Sequence, residues 1–207
     1  MSKERCGVYT IGHSTHSMEA FLALLLQHGI TALADVRSAP FSRVNPQFNK
    51  DALARDLKAG GIRYVFLGRE LGARPKERSL YDKGRIRYER LAQTDLFKQG
   101  IARVLQGATE HRIALMCAEK EPLECHRTLL VARALDELGV EVVHILGDGS
   151  LEPHQAAMER LLDVTGLPRE DLFRSHQALI SEALVRQENK IAYVDENLAA
   201  GVAGIGA

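Results

Sequence analysis

No apolar run in the 207-residue sequence approaches the ~18 residues of a membrane-spanning helix; the longest leucine-rich stretch, Phe21 to Leu26, is far shorter. The opening residues, Met1-Ser2-Lys3-Glu4-Arg5, lead into a strand-like run rather than a signal-peptide core. Cysteine is scarce. Cys6, Cys117 and Cys125 form an odd, sparse set, which excludes a disulfide scaffold and is the usage expected in a reducing cytosol. There is no glycine-rich dinucleotide fingerprint and no Walker loop, so neither NAD nor P-loop nucleotide chemistry is expected. No fixed-period repeat occurs, and only the last seven residues, GVAGIGA, are low in complexity and read as frayed. A cytoplasmic protein without a membrane partner is expected.

What is present describes an ordinary globular chain. Hydrophobic residues at 45% and charged residues at 26% exclude wholesale disorder and collagen-like fibre. A chain of this length buries roughly 70% of its unfolded surface and folds without a disulfide or metal staple. The formal net charge of zero hides an asymmetry. Asp35 to Arg90 carries 14 Lys/Arg against 7 Asp/Glu, whereas Asp136 to Ala207 carries 5 against 13. The basic stretch clusters in Arg63, Arg69, Arg74, Lys76, Arg78, Lys83, Arg85, Arg87 and Arg90. It can gather an anionic ligand, or it can be a solvated region paired with the acidic C-terminal half. Its aromatics (Phe41, Phe48, Tyr64, Phe66, Tyr81, Tyr88) could stack bases, but several read more easily as core.

Hydrophobic periodicity alternates between strands and helices. Strands are predicted at Cys6–Ile11, Ile30–Val36, Ile62–Leu67, Arg112–Met116 and Val140–Leu146. Helices open at Ser17, at Asn49 or Asp51, at Thr94 or Asp95, at Pro122 and at Pro153, with a C-terminal helix over Glu170–Arg186. A Gly/Pro/Arg-rich loop runs from Gly68 to Gly84. This pattern predicts a single three-layer α/β domain, a mainly parallel sheet of about five strands with helices on both faces. Residues 1–166 form that domain, and residues 167–207 a C-terminal helix and tail that would serve as an oligomer contact.

In open α/β sheets ligands bind beyond the carboxyl ends of the strands. Those positions carry Gly12, His13 and Ser14; Asp35, Arg37 and Ser38; Gly68 and Arg69; Cys117, Glu119 and Lys120; and Asp148 and Gly149. The densest motif runs Cys117-Ala118-Glu119-Lys120-Glu121-Pro122-Leu123-Glu124-Cys125-His126-Arg127, and three chemistries compete for it. Cys117 facing the N-terminus of a helix near Pro122, with Lys120, Arg127 and His126 nearby, would be an activated thiolate. Arg127 nevertheless lies ten residues after Cys117, too far for a compact phosphate-cradling loop. Cys117, Cys125 and His126, joined by His13 or His154, could instead hold zinc, although Cys-x7-Cys-His lacks the usual short chelating spacing. Or the cysteines are simply buried.

Elsewhere, His13 reads as a general base or a turn cap. Asp35 and Arg37 flank Val36 and so point the same way along an extended strand, to clamp a ligand or to ion-pair with Arg127 or Lys120. His144 reads as a satisfied core histidine, and His154 as a helix cap or a member of the active edge.

Tyr9-Thr10-Ile11-Gly12-His13-Ser14, Asp35-Val36-Arg37 with Pro40 and Phe48, Leu71-Gly72, Cys117-Ala118-Glu119-Lys120 with Cys125-His126-Arg127, and His144-Ile145 with Gly149 and His154 follow in a distinctive order. Together, over roughly residues 7–160, they resemble the domain of unknown function 488 family of bacterial and archaeal proteins. The resemblance implies an α/β domain without an established reaction. It maps onto His13, Asp35, Arg37, Cys117, Glu119, Cys125, His126 and Arg127.

The expectation is an enzyme for an anionic, nucleotide or nucleic-acid-like substrate, a thiol-dependent or metal-assisted hydrolase or transferase. Cys117, His13, Asp35, His126 and Glu119 are its candidate catalytic residues. Arg37, Arg127, Lys120 and Ser14 would bind substrate. The competing expectation is a non-catalytic nucleic-acid-binding module built on residues 63–90, whose binding would fall steeply with salt.

Overall fold

The computed structural model describes residues 7–203. The chain runs through β1 (Val8–Gly12), α1 (Met18–Gln27), β2 (Ala32–Asp35), α2 (Lys50–Ala59), β3 (Arg63–Phe66) and the short α3 (Gly68–Leu71). A hairpin of β4 (Tyr81–Asp82) and β5 (Arg85–Ile86) follows, then α4 (Tyr88–Ala92), α5 (Asp95–Ala108) and β6 (Ile113–Cys117). A π-helical stretch, Arg127–Ala132, leads directly into α6 (Arg133–Glu137). After it come β7 (Val142–Ile145), β8 (Leu151–Pro153), α7 (His154–Thr165), α8 (His176–Ile191) and α9 (Glu196–Ala203).

The main sheet has the order β3-β2-β6-β1-β7-β8. Its first five strands are parallel, and β8 closes one edge antiparallel to β7. Period-two alternation sorts the side chains to two faces. Ile11, Leu33, Ala114 and Met116 pack under α1 and α2 through Phe21, Leu25, Leu53 and Leu57. Val8, Ala32, Ala34, Ile113, Leu115 and Cys117 face the opposite layer, built from α5 to α8. The predicted caps form: the Ser17 hydroxyl accepts from the Ala20 N–H and the Thr94 hydroxyl from the Phe97 N–H, both at 3.2 Å. No helix among the described residues is long and apolar enough to cross a membrane.

Several boundaries differ from the sequence reading. Cys6, expected to start β1, and residues 204–207 of the tail lie outside the described residues, while α9 runs on to Ala203. Pro122 opens only a single 3-10 turn, Pro122–Glu124, and the helix proper starts at Arg127. The C-terminal helix begins at His176 and not at Glu170, because Asp171 folds a tight turn by accepting the N–H groups of Phe173 and Arg174. Part of the expected 68–84 loop forms α3 and the start of the β4–β5 hairpin. The hairpin is pinned by the chain's end, through Ile86 N–H to Tyr193 O (3.0 Å) and Asp195 N–H to Gly84 O (2.8 Å). The α8 helix adds Leu179, Ile180, Ala183 and Leu184 to the core of the α5–α8 layer.

His144 is fully buried and paired on both ring nitrogens, with the Thr10 hydroxyl at 2.8 Å and His154 Nδ1 at 3.1 Å. It is the satisfied core histidine that the sequence suggested. His154 is buried beside it rather than on the active edge.

The topology switches direction between β1 and β6. From β1 the chain leaves past β6 to β2; from β6 it leaves past β1 to β7. Gly12 sits opposite Cys117 at that point, and pairing continues beyond the strands through His13 N–H to Cys117 O and Ser14 N–H to Ala118 O, both 2.9 Å. A Cβ on Gly12 would overlap the Glu119 carbonyl. Glycine therefore lets the β6 loop fold across the end of β1. Gly12→Ala is expected to cost about 2–4 kcal/mol, seen as a thermal midpoint lowered by roughly 4–16 °C. An unchanged midpoint would show that the loop moves freely.

Candidate functional site

Asp35 is the last paired residue of β2, Val36 and Arg37 continue its line, and the alternation turns Asp35 and Arg37 to one side as predicted. Their partner is each other, and neither Arg127 nor Lys120 takes part. The Arg37 guanidinium grips Asp35 as a fork, Nε to Oδ1 at 2.9 Å and Nη2 to Oδ2 at 2.7 Å. The Tyr64 hydroxyl donates to the same Oδ2 at 2.9 Å. Nη2 also donates to the Phe48 carbonyl at 2.8 Å, and Nη1 lies 3.1 Å from His13 Nε2. Of the five guanidinium N–H bonds, four are thereby committed, leaving one on Nη1. Arg37 is only 5% exposed, and its remaining donor is held without freedom to wander.

His13 stacks on Phe48 with ring centroids 4.3 Å apart, and its Nδ1–H donates to the Ser14 carbonyl at 2.9 Å. That bond leaves Nε2 as an acceptor facing Arg37. Burial, reinforced by the Arg37 charge and opposed by the Ser14 carbonyl, lowers its pKa to about 4. His13 is thus a neutral support for Arg37. Ser14, next to it, adopts a left-handed backbone (φ 47°), a conformation costly for a non-glycine residue, at the rim of the site.

The second wall comes from the opposite sheet face. Cys117 ends β6, and after the Pro122 turn the chain returns with Cys125, His126 and Arg127. Cys117 Sγ lies 3.6 Å and Cys125 Sγ 3.9 Å from His126 Nδ1. Cys125 Sγ and Glu119 Oε2 are 2.9 Å apart, close enough to share a proton. The far nitrogen of His126, Nε2, donates to the Val36 carbonyl at 3.1 Å, binding this wall to the end of β2. Because the helix starts at Arg127, Cys125 rather than Cys117 sits at its N-terminus and receives the Arg127 backbone N–H at 3.4 Å. Burial raises the pKa of both thiols. At Cys125 this is outweighed by hydrogen bonding from Cys117 and by the Arg127 and His126 charges, so Cys125 is the sulfur held well below its ordinary value. Burial beside Cys125 pushes Cys117 well above it.

Arg127 and Lys120 were expected to bind substrate, and neither lines the cleft between these walls. Arg127 is fully buried and holds the β6 loop by its carbonyls, Glu119 O at 2.6 Å and Lys120 O at 3.3 Å. Its Nε has no partner among the described residues. Lys120 packs its stem against Gly147 on the far side of the loop. The cleft itself, about 480 Å³, is lined by His13, Ser14, Arg37, Cys117, Glu119 and His126, with Phe41 and Arg74 at its edge. Phe41 was raised from the sequence only among the aromatics able to stack bases, and Arg74 only within the basic cluster able to gather an anion; neither was placed with the strand-end residues.

Much of that basic stretch is used within the fold. Arg85 and Arg87 bond to Asn189 of α8, Arg87 approaches Glu188 at 3.5 Å, and Arg90 donates to the Ser79 and Tyr81 carbonyls. Phe48, Tyr81 and Tyr88 are buried. Of the three arginines, only Arg87 meets an acidic residue of the C-terminal half, Glu188; Arg85 reaches a neutral asparagine there, and Arg90 is used within the stretch itself.

A family model described as domain of unknown function DUF488 matches residues 17–134. The match takes in Asp35, Arg37 and the whole Cys117–Arg127 loop, and begins after His13 and Ser14. No curated protein matches the chain.

The arrangement around His13 sets a test. Its imidazole resonances, followed by NMR, should stay flat from pH 8 to 5 and move only near pH 4. Since the unfolded chain takes up that proton near 6.5, the stability tied to His13 is complete above 6.5 and lost as pH falls from there towards 4. Titration near 6.5 in the folded protein would mean that Nε2 is free to act as a base.

Proposed function

The chain belongs to the family described as domain of unknown function DUF488, and for this member we propose an enzyme that hydrolyses, or transfers a group from, a small anionic substrate of nucleotide size. One observation carries the reading. Arg37 is locked by Asp35, His13 and the Phe48 carbonyl so that its single uncommitted N–H meets the same cleft as Cys117, Glu119 and His126.

The chemistry divides between the walls. Arg37 anchors a phosphate or carboxylate oxygen by a charge-assisted hydrogen bond. Asp35 and Tyr64 fix the guanidinium plane, and His13 supports it as a neutral acceptor. These three are positioning residues. The facing wall supplies the Glu119 carboxylate, suited to accept and return a proton, with Cys117 Sγ and the His126 imidazole beside it. Ser14 lines the entrance and offers a hydroxyl. Phe41, 67% exposed beside the cleft, gives a flat apolar surface on which a base can stack. The volume lies within the range of small-molecule sites and is too confined for a duplex.

The test is binding of nucleoside monophosphates and of inorganic phosphate to the full chain, by calorimetry, followed by turnover of phosphate and N-glycosidic or amide-bearing nucleotides. Arg37→Lys should weaken nucleotide binding by about 10–100-fold, the worth of one charge-assisted bond. Phe41→Ala, at an exposed position that the fold does not need, should weaken nucleotide binding by about 5–100-fold and leave inorganic phosphate unaffected. Cys117→Ser should retain binding and lose turnover. Nucleotide affinity indifferent to both Arg37→Lys and Phe41→Ala would remove the proposed cleft.

A further inference from the structure

We propose that Cys117, Cys125 and His126 form a zinc site with three protein ligands, whose fourth position opens on the cleft and is served by Glu119. The inference rests on the functional reading only for the use made of the metal; the site itself stands on its own geometry.

The donor atoms Cys117 Sγ, Cys125 Sγ and one ring nitrogen of His126 lie within 4.8 Å of one another. Tetrahedral zinc, with Zn–S about 2.3 Å and Zn–N about 2.0–2.1 Å, requires sulfur and nitrogen roughly 3.5 Å apart and two sulfurs roughly 3.8 Å apart. The observed sulfur-to-Nδ1 separations of 3.6 and 3.9 Å are already close to that. Soft thiolates with one imidazole are a donor set that zinc takes readily. The short chelating spacing that the sequence lacks is supplied in three dimensions: β6 presents Cys117, and the link between the 3-10 turn and the π-helical stretch presents Cys125 and His126.

The surroundings are those of a ligating histidine. Nε2–H of His126 donates to the Val36 carbonyl, which fixes the tautomer and turns the Nδ1 lone pair towards the two sulfurs. The Arg127 backbone N–H on Cys125 Sγ and the buried Arg127 guanidinium nearby favour a bound thiolate. Arg127 also holds the Glu119 carbonyl, setting the loop that carries the fourth group. Glu119 Oε2 lies 2.9 Å from Cys125 Sγ, so the proton they share is the one that zinc displaces.

Cys117, His126 and Glu119 line the cleft, and Cys125 lies behind them. A three-ligand site with an open position is the catalytic arrangement, in contrast to a closed structural one. Zinc lowers the pKa of a bound water to about 7. Glu119 takes one proton from that water, the remaining hydroxide forms a bond to the electrophilic carbon or phosphorus held by Arg37, and the bond to the leaving group breaks. The leaving group departs with the electron pair and recovers the proton from Glu119. Water is the only co-reactant, and the overall step is hydrolysis.

The experiment uses the full chain, untagged and purified without chelator. Metal content is measured first. Apo-protein is then titrated with Zn2+ against a chromophoric chelator and with Co2+ by absorption. One zinc per chain, a cobalt spectrum with thiolate charge transfer and tetrahedral ligand-field bands, and affinity lowered by more than about 100-fold in folded Cys117→Ser, Cys125→Ser and His126→Asn variants are expected. Glu119→Gln should keep the metal and lose hydrolysis. Failure of wild-type protein with reduced thiols to bind Zn2+ or Co2+, zinc retained in the folded ligand variants, or a Cys117–Cys125 disulfide as the resting form would each overturn the site. Phosphate and nucleotide binding measured in parallel separates the two ideas. Zinc without anion binding sinks the proposed function and leaves the metal site; anion binding without zinc does the reverse.

Discussion

Everything at the carboxyl edge of this sheet depends on how β1 and β6 meet. They are adjacent and parallel, yet their outgoing connections run in opposite directions, so a crevice opens where they end. Backbone pairing extends past the strands as far as Ser14 and Ala118, which the missing side chain of Gly12 permits. That contact lays the 117–121 loop across β1, and Arg127 clamps it from beneath through two carbonyls. Polar groups from both faces of one sheet thereby reach a common space. The sheet keeps the two sets apart everywhere else.

The two walls solve different electrostatic problems. On the Asp35 side a buried cation is matched by a bidentate carboxylate and a carbonyl, so the charge is held and aimed. On the Cys125 side a fully buried guanidinium is bonded, among the described residues, only to carbonyls, and its charge acts on the Cys125 sulfur two residues before it. A buried charge left without an opposing one is costly. The start of the helix at Arg127, just after Cys125, places the Arg127 backbone N–H and charge on the same sulfur.

Most of this architecture was legible in the sequence. Strand and helix periodicity identified the parallel sheet and its caps at Ser17 and Thr94, and strand ends marked His13, Asp35, Arg37, Cys117 and Glu119. What was not legible depends on long-range packing. Whether Arg127 or Lys120 faced a ligand could not be read from charge, since the decision lies in the path of the 117–121 loop. Pro122 satisfied the preference for a first helical turn, but the chain needed a further bend before the helix could pack on β1 and β6. The short strand at Leu151–Pro153 carries a proline and pairs only through its neighbour β7, so no local pattern announced it. Arg37's role as an aimed donor required knowing that His13 and the Phe48 carbonyl close in from two other segments.

The cleft is tied to the last part of the described chain. Arg74, at the edge of the cleft, lies over the Tyr193 ring at 4.7 Å, and β5 is held by the backbone of the same terminal segment. Residues late in the chain thus support both walls: Gln187 of α8 donates to the Leu123 carbonyl in the turn between Cys117 and Cys125, and Tyr193 lies under Arg74. A chain cut short before α8 would lose the support of the Cys117–Cys125 turn together with the edge around Arg74.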